Sequence, residues 1–180
     1  MEIYLTFDDG PDPQHTRPLL ALLDAHKAKG TFFLQGQQVE EHGDIVADIV
    51  KGGHTLGNHS YSHANFTSLD WDGQLDEISR TDNLLSRHDG NEIHVFRPPY
   101  GKLRLNTLAM CLHRRQDIAM WTHDSFDFKL DESHVVERMK DMPVRSGDIL
   151  LFHDDGHAAI GALEQLLPTW QQAGFRFAAL

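Results

Sequence analysis

Two short stretches carry groups able to hold a cation and move protons. In His59-Ser60-Tyr61-Ser62-His63 the imidazoles are four residues apart. On a helix that spacing puts both on one face, about 5–6 Å apart at Cβ, close enough to share one ion through bonds of about 2.0–2.1 Å. The spacing alone decides little, since 13 histidines in 180 residues give about one such pair by chance. A second pair, His153 and His157, straddles Gly156, which weakens a helical reading. Around the first pair Asn58 and Ser60 add polar groups, and the adjacent Asp8 and Asp9 can supply an anionic third ligand. The bland reading of those aspartates is an Asp-Gly turn with solvated carboxylates. The functional reading divides them, one on a metal and the other a general base, because a carboxylate beside a cation stays ionised at neutral pH.

Two further residues fit the same chemistry. Arg97 precedes the rigid Pro98-Pro99; a guanidinium fixed there could orient a carboxylate bidentately, the alternative being a surface ion pair. His153 ends the apolar run Ile149-Leu150-Leu151-Phe152, and Asp127 or Asp124 could hold its ring. A carboxylate-held histidine favours imidazolium and suits a general acid.

All these groups must be delivered by the elements that precede them. Seven short β-branched or aromatic runs read as strands: Ile3–Phe7, Thr31–Leu34, His54–Gly57, Val95–Arg97, Ile118–Thr122, Asp148–His153 and Phe175–Leu180. Most are apolar throughout, as in a buried parallel sheet. Helix ends fall between them: Thr16 as N-cap ahead of Pro18, Gly30 after Lys29, Asp131 capping Glu132–Lys140, and Gly174 closing a helix from about Ile160 to Ala173. This alternation implies parallel strands with right-handed crossovers, and seven strands with helices outside favour an incomplete α/β barrel over an open sheet. The polar clusters all follow strands, where α/β barrels build their active sites, and this convergence is the main argument for an enzyme.

Composition narrows the reading. A length of 180 residues, 40% apolar and 24% charged, fits one compact domain spanning residues 1–180. Lys+Arg 16 against Asp+Glu 27 gives a net charge of −11, which repels nucleic-acid phosphates and anionic membranes. A lone cysteine, Cys111, lies in an apolar segment and reads as a buried, inert thiol. No apolar run is long enough to span a membrane. Met1 leads straight into Ile3-Tyr4-Leu5 with no signal-peptide pattern, so the chain as written is expected in the cytoplasm, or in a secreted or periplasmic setting if a leader has been trimmed.

In this order, Thr6-Phe7-Asp8-Asp9-Gly10, His59-Ser60-Tyr61-Ser62-His63, Arg97-Pro98-Pro99-Tyr100-Gly101, Asp124-Ser125-Phe126-Asp127-Phe128 and Leu150-Leu151-Phe152-His153-Asp154 closely resemble the five motifs of the polysaccharide deacetylase family, carbohydrate esterase family 4 (NodB homology). The resemblance runs from Leu5 to Asp154 and implies an irregular (β/α)7-8 barrel. It implies Asp8 as catalytic base, Asp9, His59 and His63 as metal ligands, and Arg97 as the residue orienting the base. Tyr100 resembles the position whose backbone N–H helps bind the oxyanion, His153 the general acid tethered by Asp127, and Trp121 and Leu151 the walls of an acetyl-methyl pocket. Phe128 stands where the family often has tryptophan, a departure that bears on substrate contacts. The expected reaction is hydrolysis of the N-acetyl group of an amino sugar in a chitooligosaccharide, peptidoglycan or related glycan. The expected cofactor is one divalent ion, Zn²⁺ before Co²⁺, Ni²⁺ or Mn²⁺. Rival readings are O-deacetylation at the same site, a carbohydrate-binding relative that has lost activity, and a non-haem Fe(II) enzyme, which also uses two histidines and a carboxylate but leaves the second aspartate, Arg97 and His153 without work.

Overall fold

In a computed structural model, residues 1–180 are described throughout. The strands are β1 (Glu2–Asp8), β2 (Gly30–Leu34), β3 (Thr55–Asn58), β4 (His123–Asp124), β5 (Ile149–His153) and β6 (Arg176–Ala178), and the helices are α1 (Thr16–Ala25), α2 (Gly36–Glu41), α3 (Gly43–Lys51), α4 (Trp71–Asp89), α5 (Leu105–Arg114), α6 (Glu132–Asp141) and α7 (His157–Gln172). Every strand pairing is parallel, in the order β3-β2-β1-β5-β4. β6 pairs with Glu2–Tyr4 of β1, and β2 takes over that edge at Leu5.

The sheet closes irregularly. Val95–Arg97 and Ile118–Thr122 do not form the full strands expected of them; each contributes one bridge residue, Phe96 pairing with Asn58 on one side and Ile118 on the other. Backbone bonds on either side complete the junction, from Ala119 N–H to Phe96 O (2.9 Å) and from Thr122 N–H to Ile149 O (2.8 Å). The short contact spares the carbonyls of Ala119 and Met120 for Arg97, whose Nε and Nη2 donate to them at 3.1 Å each. The irregularity of the barrel is therefore tied to a buried cation.

Alternation along β1 and β5 separates core from site. Ile3, Leu5 and Phe7 of β1, with Leu150 and Phe152 of β5, join the main apolar core beside Leu163, Leu166 and Leu167 of α7. The intervening residues face the barrel interior, and the register sets Thr6 beside Leu151 and Asp8 beside His153.

Helix ends differ from expectation at two places. Thr16 is the first residue of α1 rather than its cap; its hydroxyl accepts from Asp12 N–H (2.7 Å) and donates to the buried Asp154 (2.6 Å), so tertiary partners have taken the oxygen a cap would use. Gly30 opens β2 instead of closing α1, and a Cβ there would come within 2.8 Å of the Phe7 ring. Asp131 does cap α6, accepting from His134 N–H, and Gly174 follows α7 at φ 88°, the left-handed conformation that terminates helices. α7 begins at His157, one residue after Gly156, so His153 and His157 lie on different elements and His157 packs edge-on against His15. No helix is long and apolar enough to cross a membrane.

A candidate metal centre at the strand ends

Asp8 ends β1, buried to 3% exposure. Its Oδ1 accepts from Arg97 Nη1 at 2.8 Å, and the same nitrogen donates to Thr6 two residues earlier on the inward face. Arg97 is fully buried, its guanidinium 4.0 Å above the Phe33 ring. This is neither a surface ion pair nor a bidentate fork: one nitrogen meets the carboxylate, while the others satisfy backbone carbonyls at the barrel junction. Burial pushes the Asp8 carboxyl above its ordinary range, opposed by Arg97 and then by His153.

Asp8 Oδ2 lies 3.7 Å from His59 Nε2, and Asp9 leaves the strand at φ 79° toward the same imidazole. Asp9 Oδ1 lies 3.2 Å from His63 Nε2 and 3.6 Å from His59 Nε2. Together Asp9, His59 and His63 offer three ligand atoms all within 4.8 Å of one another. The two histidines do not share a helical face, as their spacing suggests. His59 follows β3, and the chain then turns through left-handed residues at Ser60 (φ 66°) and His63 (φ 56°), bringing the ring centroids to 5.0 Å. Asn58 and Ser60 do not face the site either: Asn58 is buried and donates to Ile78 O and Asp82, while its Oδ1 receives Ser60 N–H.

The donor set fits a divalent ion. His59 Nδ1 bonds to the Arg97 carbonyl at 2.8 Å, which makes Nδ1 the protonated nitrogen and turns the bare Nε2 lone pair into the site, the arrangement of a metal-binding histidine. Burial holds its pKa well below the usual range, so the ring is neutral and free to ligate.

Across the mouth, His153 Nδ1 lies 2.7 Å from Asp127 Oδ1, and Asp127 Oδ2 accepts His153 N–H at 2.8 Å. Of the two aspartates that sequence left open for this role, Asp127 holds the ring; Asp124 instead accepts from Phe126 N–H. Burial pulls His153 down, but its hydrogen bond to Asp127 and the charges of Asp127, Asp8 and Asp9 prevail and push it up to about 9. The imidazolium tip, Nε2, points inward 4.0 Å from Asp9 Oδ2.

A cavity of about 260 Å³ joins these groups, lined by Asp8, Asp9, His59, His63 and His153 together with Tyr100, Trp121, Asp124, Phe128 and Leu151. Three larger hollows, of about 690, 600 and 350 Å³, contain no such constellation, so chemistry rather than size selects the site. Tyr100 sits at φ 60°, a strained backbone at the rim with its ring 4.6 Å from that of His63. Leu151 is 3% exposed and belongs to the cavity wall, outside the main core. Cys111 is buried elsewhere, its thiol pushed up by burial to about 11, and takes no part. One contact had no motif to announce it: Gln35 Nε2 donates to Asp9 Oδ1 at 2.8 Å. Its only sequence signal is a polar residue directly after the all-buried run Gly30–Leu34.

A carboxylate and two imidazoles, flanked by an aspartate paired with arginine and a histidine paired with aspartate, are a donor set suited to a metal-dependent hydrolytic centre. The polysaccharide deacetylase family model matches residues 1–113. The chain belongs to that family. It is 34% identical to a peptidoglycan-N-acetylglucosamine deacetylase of Bacillus cereus over 99% of this chain and 66% of the relative, and 29% identical to the peptidoglycan-N-acetylmuramic acid deacetylase PdaC of Bacillus subtilis over 97% of this chain and 37% of the relative. It thus spans less than two thirds of either. The solved structure of the Bc1960 peptidoglycan N-acetylglucosamine deacetylase, bound to a naphthalenyl N-oxidanyl-benzamide, superposes with a TM-score of 0.94 at 32% identity, covering 99% of this chain and 86% of that one.

Proposed function

We propose that this chain hydrolyses the N-acetyl group of an amino sugar in a peptidoglycan-type glycan, releasing acetate and a free amine, with Asp9, His59 and His63 holding one divalent ion. The observation that carries the reading is the gathering, in one 260 Å³ cavity, of that triad with Asp8 and His153. Zn²⁺ suits one carboxylate and two imidazoles, with Co²⁺, Ni²⁺ or Mn²⁺ as substitutes. When bound, the ion supplies Lewis acidity, polarising the acetyl carbonyl and lowering the pKa of water.

The chain's own groups divide the remaining work. Asp8, aligned by Arg97 and raised by burial, accepts the proton of the attacking water at its free oxygen. His153 carries a proton on Nε2 and delivers it to the departing nitrogen, which leaves poorly as an anion. Asp127 keeps the ring oriented by holding Nδ1. The left-handed turn at Tyr100 lets its N–H meet the negative charge developing on the acetyl oxygen. Trp121 and Leu151 wall the methyl group and exclude longer acyl chains.

The test is acetate release by metal-analysed protein from peptidoglycan fragments, chitooligosaccharides and acetylxylan. Release from N-acetylated substrates that disappears with the metal supports the proposal. Activity confined to O-acetylxylan would make the chain an esterase, and full activity without metal would overturn the mechanism.

A further inference from the structure

Gln35 is the second residue in a segment that touches both halves of the triad. Its own N–H donates to Gly10 O (3.0 Å), Gly36 N–H to Ser60 O (2.9 Å) and Gln37 N–H to Tyr61 O (3.0 Å), while Leu34 O accepts from His59 N–H (3.0 Å). Four consecutive residues thereby fasten the Asp9-Gly10 turn to the loop that carries His59 and His63. The fit is close: a Cβ on Gly36 would lie 2.5 Å from the Tyr61 ring and 2.8 Å from Thr81 Oγ1. Within this clasp the only side chain bonded to a member of the triad is Gln35, whose Nε2 reaches Asp9 Oδ1 at 2.8 Å. That oxygen is the one facing both imidazoles. A carboxylate can only accept, so the amide must present its nitrogen. Each carboxylate oxygen has two lone-pair directions, leaving one for the imidazole side while the other is held.

We propose that Gln35 is a positioning residue for the metal site: it fixes the rotamer of Asp9 so that Oδ1 faces His59 and His63 before any ion arrives. The inference rests on the triad being the metal site. Its physical basis is preorganisation. Asp9 is one-fifth exposed and sits on a strained turn, so without the amide its carboxylate would rotate toward water or toward His153 Nε2, 4.0 Å from Oδ2. The ion would then have to bear the cost of recalling it. Groups that orient metal ligands typically change affinity by about 10–100-fold.

Gln35→Met keeps the length and apolar stem of the side chain and removes the donor. Its affinity for Zn²⁺, measured by competition with a chromophoric chelator, is expected to fall by about 10–100-fold, with the melting temperature of the metal-free protein unchanged. A merely structural role would move the second quantity and not the first. Gln35→Ala, read in the same two ways, guards against an effect peculiar to methionine. Unchanged Zn²⁺ affinity in both variants, or a loss matched by lower metal-free stability in both, overturns the inference. If wild-type protein binds no Zn²⁺ at all, the metal-site reading itself fails, so the two failures are told apart by the wild-type measurement.

Discussion

Asp8 and Asp9 both come within 4 Å of His59 but have different main partners, because the first still obeys the strand's alternation and the second has left it. Asp8 points with Thr6 into the barrel onto Arg97, and Asp9 turns at positive φ toward the histidines. Asp8→Asn is therefore expected to keep its metal and lose turnover by about 10²–10⁴-fold, the scale of general-base catalysis, whereas Asp9→Asn should release metal. Metal content and initial rates on both variants check this, and equal metal retention would show the roles to be wrongly divided. Arg97→Met leaves Asp8 buried without its cation and should cost about 3–5 kcal/mol of stability in a denaturant titration. The proton on His153 predicts a pH dependence. A histidine raised from 6.5 to about 9 contributes stability that is fully present below pH 6.5 and is lost as pH rises toward 9. Asp154, buried and raised to about 8, also weakens the fold as it ionises over part of that range, so the informative quantity is a difference. The melting-temperature gap between wild type and Asp127→Asn, both metal-free, should shrink from pH 6.5 to 9. A constant gap would mean that Asp127 does not hold the proton on His153.

Elements translate these residues into a site, and they show where sequence runs out. The runs behind β1, β2 and β5 are legible because each is a short, mostly buried and largely apolar run bounded by polar turns. Val95–Arg97 and Ile118–Thr122 carry the same composition, yet they meet at single bridge residues; composition records burial and does not record that Arg97 has claimed the carbonyls a longer ladder would use. The residues proposed as acid, base and ligands are legible as residue types following strands. The four-residue spacing of His59 and His63 suggests a helix, but the chain brings them together through two left-handed residues in a loop whose shape is set by bonds to Leu34, Gly36 and Gln37. Gln35 is not legible in the sequence, because an amide donor has no motif. Close approach of elements gives a prediction at this scale. A Cβ on Gly57 of β3 would lie 2.5 Å from the Phe33 ring, and that ring is the floor beneath the Arg97 guanidinium. Gly57→Ala should cost about 1–3 kcal/mol, as overpacking does, and should lower activity as well, because displacing Phe33 moves the arginine that aligns Asp8. Stability lost with activity fully kept would separate the ring from the site.

Across the whole molecule, the site joins parts of the chain that are far apart in sequence. Asp9 follows the first strand, and His59 and His63 follow the third, so an ion held by all three acts as a crosslink that exists only in the folded state. The net charge of −11 favours capture of a cation over capture of an anion, and three of the residues lining the mouth are aspartates. A ligand that binds only the native state stabilises it by RT ln(1 + [L]/Kd), about 2.7 kcal/mol at one hundred times Kd. For a domain of this size, 1 kcal/mol shifts the melting temperature by roughly 2–4 °C. Saturating Zn²⁺ should therefore raise the melting temperature of chelator-treated protein by roughly 5–11 °C, and activity should return with it. His59→Ala and His63→Ala should show neither response, since each removes one of three ligands. A chelator-treated protein that melts at the same temperature with and without Zn²⁺ would show that no ion ties the first strand's turn to the third strand's loop, whatever the relatives bind.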